Sequence, residues 1–343
     1  MKGRLGVGIV GAGPVTQAIH LPTLATLSDR FTVEHVMDVD EHLAATVAAR
    51  AGARSSADLR RLLDDPAVDV IAICSPHHLH AQQVEAAVEA GKRAILCEKP
   101  LATTAPEVER IAEISRSHGV PVLVGAMHAY DPAYLAVQAH WGDLPGDARL
   151  IHSTIYLPSN DEFIALATDP ATPPPPPPPH TTPAQRLRGG VLGLGTHVIP
   201  QLRRFMPEVG EVTFARRLEP FGYQILLTHD DRTAELVALM PGAWRPDWSF
   251  RVWGAEAELH ITYPPSYVLA ASATATLTRR GERRTWHFPH NGYQAEWAHL
   301  SDVALGKAAP VIPVQTAAED MLFALDLADK ATAAPRTPML EDV

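Results

Sequence analysis

Leu5-Gly6-Val7-Gly8-Ile9-Val10-Gly11-Ala12-Gly13-Pro14-Val15-Thr16 is an apolar β-rich run that breaks into a glycine turn, and a helical pattern follows through Ile19 and Leu24. Strand, glycine turn and helix in that order are what a dinucleotide site requires. Glycines let the backbone approach a pyrophosphate, whose charge then sits at the helix N-terminus. Gly11, Gly13, Pro14 and Val15 are therefore candidate cofactor contacts, with Thr16 standing where the strict G-x-G-x-x-G motif has its third glycine. The charged head Met1-Lys2-Gly3-Arg4 has the look of a leader peptide. The apolar run behind it is short and lacks a small-residue cleavage site, so it reads as the first strand.

Working outward, a second strand over Phe31–Met37 ends in Asp38, 25 residues beyond Gly13. A carboxylate there accepts hydrogen bonds from ribose hydroxyls and repels a 2′-phosphate. Val39 follows, where a phosphate-reading arginine would stand, so NAD is favoured over NADP. The alternation continues with helices at Ala44–Ala51 and Ala57–Leu63 and a buried strand at Val68–Cys74. A helix at Ala81–Ala90 closed by Gly91, a strand at Arg93–Cys97, a helix at Pro106–His118 and a strand at Pro121–Val124 complete the set. Such repetition predicts an α/β fold with a doubly wound parallel Rossmann sheet over residues 1–126.

Two strand ends in this half carry chemistry. Ser75-Pro76-His77-His78-Leu79-His80 follows the Val68–Cys74 strand, and Ser75, His77 and His80 are candidate contacts to the cofactor's ribose or nicotinamide half. Their other reading is capping and loop packing. A metal is not expected, because His78 and His80 do not have the spacing of two ligands on one helix face and no acidic or thiol partner is near in sequence. Glu98-Lys99-Pro100 stops the Arg93–Cys97 strand, presenting Lys99 at the carboxyl edge where open α/β sheets bind ligands. The chain has five lysines, so a lysine at this spot is not routine solvation.

Composition narrows the function classes. The 343 residues suit two domains, 46% of them are hydrophobic and 20% charged, and the formal charge is -10. That balance offers no basic face for nucleic acid. Arg279, Arg280, Arg283 and Arg284 read as a hairpin tip. No segment approaches the roughly 20 apolar residues of a membrane helix. Cys74 and Cys97 lie in or at the ends of apolar runs and read as buried thiols of a cytoplasmic protein.

Several motifs then carry a resemblance. Gly11-Ala12-Gly13, Ser75-Pro76-His77-His78-Leu79-His80, Glu98-Lys99-Pro100, Val124-Gly125 and Asp131-Pro132-Ala133-Tyr134 resemble, in order and spacing, those of the Gfo/Idh/MocA family, the glucose-fructose oxidoreductase and inositol dehydrogenase relatives. Val252–Leu259 is similar to that family's strand around a conformationally special glycine. The resemblance implies a second α+β domain with a large open, mainly antiparallel sheet, here residues 127–335 before a tail at 336–343, and homodimers or homotetramers assembled through that sheet. The pattern supports it independently, with strands at Arg149–Leu157, Val212–Arg217, Gln224–His229, Thr233–Met240, Phe250–Trp253, Leu259–Tyr263 and Thr274–Thr278, and a hairpin turn at His229-Asp230-Asp231-Arg232.

The resemblance also implies a chemistry. Family members carry D-x-G-x-H-x-x-D in the second domain, the histidine serving as acid or base. Here the segment is Gly193-Leu194-Gly195-Thr196-His197-Val198-Ile199-Pro200, so Gly195 and His197 match and both acidic positions are lost. The implied reaction passes a hydride between NAD and a secondary alcohol or ketone of a sugar, cyclitol or related polar metabolite. His197 would exchange the hydroxyl proton and Lys99 would hydrogen-bond the same oxygen, with His128, Tyr130 and Thr196 lining the substrate. Histidine suits this because its unperturbed pKa is about 6.5. Without the aspartate His197 is a weaker base unless His128, Tyr130, Asp161 or Glu162 substitutes. Two other readings stand beside this one. One is a cofactor-binding sensor or scaffold that has lost catalysis; the other is a reductase of another unsaturated bond with Lys99 as main acid. Seven prolines, Pro173–Pro179 within the Pro-rich loop 170–183, form a stiff rod read as a surface loop, a lid or inter-subunit arm, or a docking site.

Overall fold

The computed structural model describes residues 3–161, 164–165, 168, 181–242, 245–265 and 270–334. Glu162 and the polyproline run Pro173–Pro179 lie outside the described residues. The chain divides into two compact units. The first takes Met1–Met127, Asp161–Pro174 and Tyr293–Met321, the second His128–Asn160, Pro175–Gly292 and Leu322–Val343. Tyr293–Met321 thus returns to the first unit, where sequence reading drew a single cut after residue 126.

The first unit is a six-stranded parallel sheet of β1 (Leu5–Val10), β2 (Phe31–Met37), β3 (Arg54–Ser56), β4 (Val70–Ile73), β5 (Ala94–Glu98) and β6 (Val122–Gly125), in the order β3-β2-β1-β4-β5-β6. Every residue of β1 and β4 is buried, as expected of parallel strands covered on both faces. Ile9, Ile71 and Ile95 have no exposed surface, and each contributes about 1.5–3 kcal/mol by leaving water. The order reverses between β1 and β4, which opens a crevice at their carboxyl ends.

The helices of this unit are α1 (Leu21–Thr26), α2 (Glu41–Ala51), α3 (Leu59–Leu63), α4 (His80–Glu89) and α5 (Ala105–His118). Local chemistry sets their ends. Asp40 caps α2 by accepting from the His42 and Leu43 N–H groups, so that helix starts earlier than its apolar pattern suggests. Thr104 and Glu107 form a capping box on α5. The expected helix at Ala57–Leu63 is shorter, because Arg54–Ser56 pairs with β2 as an edge strand and Asp58 then caps α3.

The second unit opens with α6 (Met127–Tyr130), α7 (Pro132–Gln138) and α8 (Leu144–Asp147), then β7 (Ala148–Tyr156), α9 (Pro183–Leu194) and α10 (Ile199–Leu202). Strands β8 (Glu211–Leu218), β9 (Phe221–His229), β10 (Arg232–Met240), β11 (Asp247–Gly254), β12 (Ala257–Thr262), β13 (Thr274–Arg279) and β14 (Glu282–Trp286) follow. With β7 they form an eight-stranded sheet, β14-β13-β12-β11-β7-β10-β9-β8, antiparallel throughout except for the β7–β10 pair. Tyr223, Ile225 and Leu227 alternate inward on β9, the face over which Leu187, Val191 and Leu194 bury α9. The opposite face carries a polar ladder: Arg216 donates to Gln224 Oε1 at 2.9 Å, and Gln224 donates to Glu235 Oε1 at 3.0 Å. β14 is an addition to the sequence reading, because Glu282–Trp286 has almost no apolar alternation to mark it. Helices α11 (Gly292–Ala304) and α12 (Val314–Ala333) close the chain.

Candidate functional site

The glycine turn after β1 is built by its side-chain ties. Gly11 has φ +98°, and a Cβ there would come within 2.8 Å of the Cys74 backbone, so the β1 and β4 ends can pack this closely only with glycine. Thr16 donates its hydroxyl to the Gly11 carbonyl at 2.5 Å, and the Gln17 amide donates to the Ala12 carbonyl at 2.8 Å. Thr16 therefore holds the turn by a hydrogen bond where a third glycine would act by leaving room. A Cβ on Gly13 would meet nothing within 4 Å, so this glycine keeps open a cradle that a side chain would fill.

Asp38 stands at the end of β2 beside that turn. Its Oδ2 accepts from the Ala12 N–H at 2.7 Å and its Oδ1 from the Asp40 N–H at 3.0 Å. Each oxygen keeps a second lone pair for a ribose hydroxyl. Val39 next to it is exposed and offers no cation to a 2′-phosphate. The open cradle over Gly13 together with a carboxylate at the β2 end fits a dinucleotide.

At the end of β4, Ser75 and His77 lie partly or fully exposed on the loop. His80 does not. It is wholly buried, with Nδ1 2.9 Å from the Pro100 carbonyl and Nε2 2.9 Å from the Ser75 carbonyl. Its expected cofactor contact is corrected accordingly: both ring nitrogens face backbone carbonyls, the neutral ring donates to one of them, and the ring sits between the β4 and β5 ends. Burial lowers its pKa against the pull of the two carbonyls.

Lys99 follows β5 directly, ahead of a cis peptide bond to Pro100. Its neighbour Glu98 accepts from His20 Nε2 at 3.0 Å and from the Lys99 backbone N–H at 3.1 Å. Burial opposes the Glu98 charge, but the His20 bond and the Lys99 charge outweigh it and hold the carboxyl below its usual range. Burial lowers the Lys99 pKa, and the Glu98 charge opposes that. A lysine whose charge is opposed by burial gives up its proton more readily than a solvated one.

Sequence reading missed what stands behind Glu98. The turn Thr16–His20 is a π-helix, whose wider coil carries His20 into the interior. Trp297, on α11 and without exposed surface, donates its indole N–H to His20 Nδ1 at 3.1 Å and sets its ring edge-on to Phe31. Glu296 beside it is also wholly buried. His20 had a local signal in its position just past the glycine turn. The α11 pair had none, since nothing in sequence links residues so far apart.

In the second unit, His197 ends a 3₁₀ turn, Gly195–His197, that α9 feeds. His128 stacks on Tyr263 with ring centroids 3.8 Å apart, and Trp248 stands edge-on to His128 at 4.3 Å and to His197 at 5.0 Å. The two histidines are 5.7 Å apart, and all four rings are buried. Burial, with the Asp131 charge adding to it, pushes the Tyr263 hydroxyl well up, so it stays protonated. Tyr130 is buried too, and Thr196 gives its hydroxyl proton to the Leu192 carbonyl at 2.9 Å, leaving it an acceptor. A Cβ at Gly193 would make ordinary contact with the Phe221 ring at 3.4 Å, so the position has room for a side chain. Among the described residues no group of three His, Cys, Asp or Glu side chains could hold a metal ion, and no helix is long and apolar enough to cross a membrane.

Residues 5–126 match the model of an oxidoreductase family with an NAD-binding Rossmann fold. The chain is 40% identical over 136 residues to inositol 2-dehydrogenase 2 of Saccharopolyspora erythraea, which covers 39% of this chain and 40% of that one. It is 41% identical over 135 residues to inositol 2-dehydrogenase of Acidothermus cellulolyticus, 39% of either chain. The chain thus spans about two fifths of the length of the curated relatives it matches. Its fold resembles that of KijD10, a 3-ketoreductase from Actinomadura kijaniata solved with NADP and TDP-benzene, with a TM-score of 0.72 and 20% identity over 97% of this chain and 98% of that one.

Proposed function

Since the chain belongs to the Gfo/Idh/MocA oxidoreductase family through residues 5–126, we propose that it is an NAD-dependent dehydrogenase or reductase acting on a secondary alcohol or ketone of a sugar, cyclitol or related small polar metabolite. The observation that carries the reading is Lys99 at the end of β5, beside an anionic Glu98, in a sheet whose β1 end carries an open glycine cradle. Bound nicotinamide supplies the hydride acceptor or donor. Gly11, Gly13, Pro14 and Val15 cradle its pyrophosphate, and Asp38 takes the ribose hydroxyls and disfavours NADP. Lys99 gives a proton to the carbonyl oxygen during reduction and takes it back from the alcohol during oxidation. His197, with His128, Tyr130 and Thr196, handles substrate in the second unit, residues 127–335.

Free Cys74 and Cys97 suit a reducing cytoplasm, and the large mixed sheet suits assembly into a homodimer or homotetramer. A second reading, a cofactor-binding sensor or scaffold, is favoured by one observation: Gly193, without a side chain, stands where the family resemblance implies an aspartate.

A panel of polyols and keto-sugars with NAD or NADH separates the two. The dehydrogenase reading expects turnover that falls about 10²–10⁴-fold in Lys99→Ala with NADH binding retained. Binding without turnover on any substrate favours the sensor, and turnover indifferent to that substitution removes Lys99 from the proton step.

A further inference from the structure

Two carboxyl groups stand near the Lys99 strand end, Glu98 with its side chain 13% exposed and Glu296 wholly buried, and they are provided for unequally. Glu98 has both oxygens engaged, Oε1 by His20 Nε2 and Oε2 by the Lys99 N–H. Glu296 has no exposed surface and neither oxygen makes a hydrogen bond; the nearby Ala126 N–H, which pulls its pKa down, donates to the Val124 carbonyl at 2.6 Å.

The direction of the His20 bond follows from chemistry. An indole N–H only donates, so the Trp297 contact at 3.1 Å requires a lone pair on His20 Nδ1. Burial lowers the His20 pKa, and Cys74 and Glu98 together raise it well up, but the indole N–H leaves no place for a proton on Nδ1, so the ring's proton sits on Nε2 and points at Glu98. Glu98 is thereby an acceptor on both oxygens, which is the carboxylate's state. A second buried carboxylate beside it, without donors, would be an unpaired charge in a dry interior, and such a group keeps its proton instead. Burial and the Glu98 charge both push Glu296 up, consistent with that assignment.

We propose that Glu98, held as an anion by the His20 Nε2–H whose tautomer Trp297 fixes, is the positioning residue that keeps Lys99 protonated, and that Glu296 is its permanently neutral, proton-bearing neighbour. The groups facing Glu98 are His20 from the π-helical turn, His77 and His80 from the segment after β4, Cys97 on its own strand, Lys99 just past it, and Glu296 from α11, with Cys74 facing His20. Of these, Lys99 is the cation of its own strand end: burial lowers its pKa and the Glu98 charge opposes that. The second carboxyl adds no charge, so the pair does not hold Lys99 too firmly to release a proton.

Competitive labelling with acetic anhydride from pH 6 to 11, read at the Lys99 peptide by mass spectrometry, tests this without cofactor or substrate, so it can fail while the dehydrogenase reading stands, and the reverse. Glu98→Gln is expected to lower the Lys99 labelling midpoint by about 1–3 pH units. Glu296→Gln, an amide in place of a neutral acid, is expected to leave it unchanged. His20→Leu should lower the midpoint and His20→Gln, which keeps a donor, should restore most of it. The His20 pair makes the same comparison if Glu98→Gln does not fold. A midpoint that moves with Glu296→Gln as far as with Glu98→Gln places the charge on Glu296 and overturns the proposal. So does a midpoint that none of the Glu98 and His20 variants moves.

Discussion

The end of β5 and the turn around His197 are both candidate sites for proton exchange, but they are made of opposite materials. Lys99 stands over a chain of directed hydrogen bonds in which Trp297 holds His20, His20 holds Glu98, and Glu98 holds the Lys99 backbone. His197 stands among rings, with Trp248 edge-on to it and His128 stacked on Tyr263. One setting specifies charge, the other specifies shape. At the β5 end a carboxylate with two hydrogen bonds stands next to the basic residue, whereas the surroundings of His197 are aromatic rings.

The comparison is most easily broken at His197 itself. In the assay that reads Lys99→Ala, His197→Ala is expected to cost about 10–10²-fold in kcat, less than the lysine, because no carboxylate at residue 193 raises its basicity. A loss equal to that of Lys99→Ala would mean the rings do what charges were thought to do. A smaller effect sharpens it. Gly193→Asp places a carboxylate one helical turn before His197, where the exposed Phe221 ring can give way at 3.4 Å. An acidic neighbour favours the protonated imidazole, so the acid limb of the oxidation pH profile should move to higher pH by up to about one unit, with kcat changed less than about tenfold. An unmoved limb would show that His197 takes no part in the proton step.

The same contrast governed what could be read from sequence. β1, its glycine turn, Asp38 and the Glu98-Lys99-Pro100 stop were legible because their chemistry is local: a strand, a turn and an acidic or basic end within a few residues. The six parallel strands followed from alternation, with the edge strand β3 the exception, since three residues are too few to show a period. In the second unit seven of the eight strands carry visible alternation, and only the charged edge β14 does not. His80 was misread because a histidine in a strand-end loop looks exposed until the fold closes backbone carbonyls around it. Trp297, Glu296, Trp248 and Tyr263 were invisible for another reason. Their roles depend on contacts between residues far apart in the chain, such as Trp297 with His20, and no local pattern encodes those.

The central claim is that the first unit is a nicotinamide dinucleotide site read by the β1 turn and Asp38. Fluorescence-detected titration of the whole protein with NADH and, separately, with NADPH tests it most directly. Saturable binding of NADH, about tenfold or more tighter than NADPH, is expected, because the Asp38 carboxyl group stands where ribose hydroxyls would bind and exposed Val39 supplies no cation for a 2′-phosphate. Binding of NADPH in preference would contradict the role given to Asp38, and binding of neither would contradict the account as a whole.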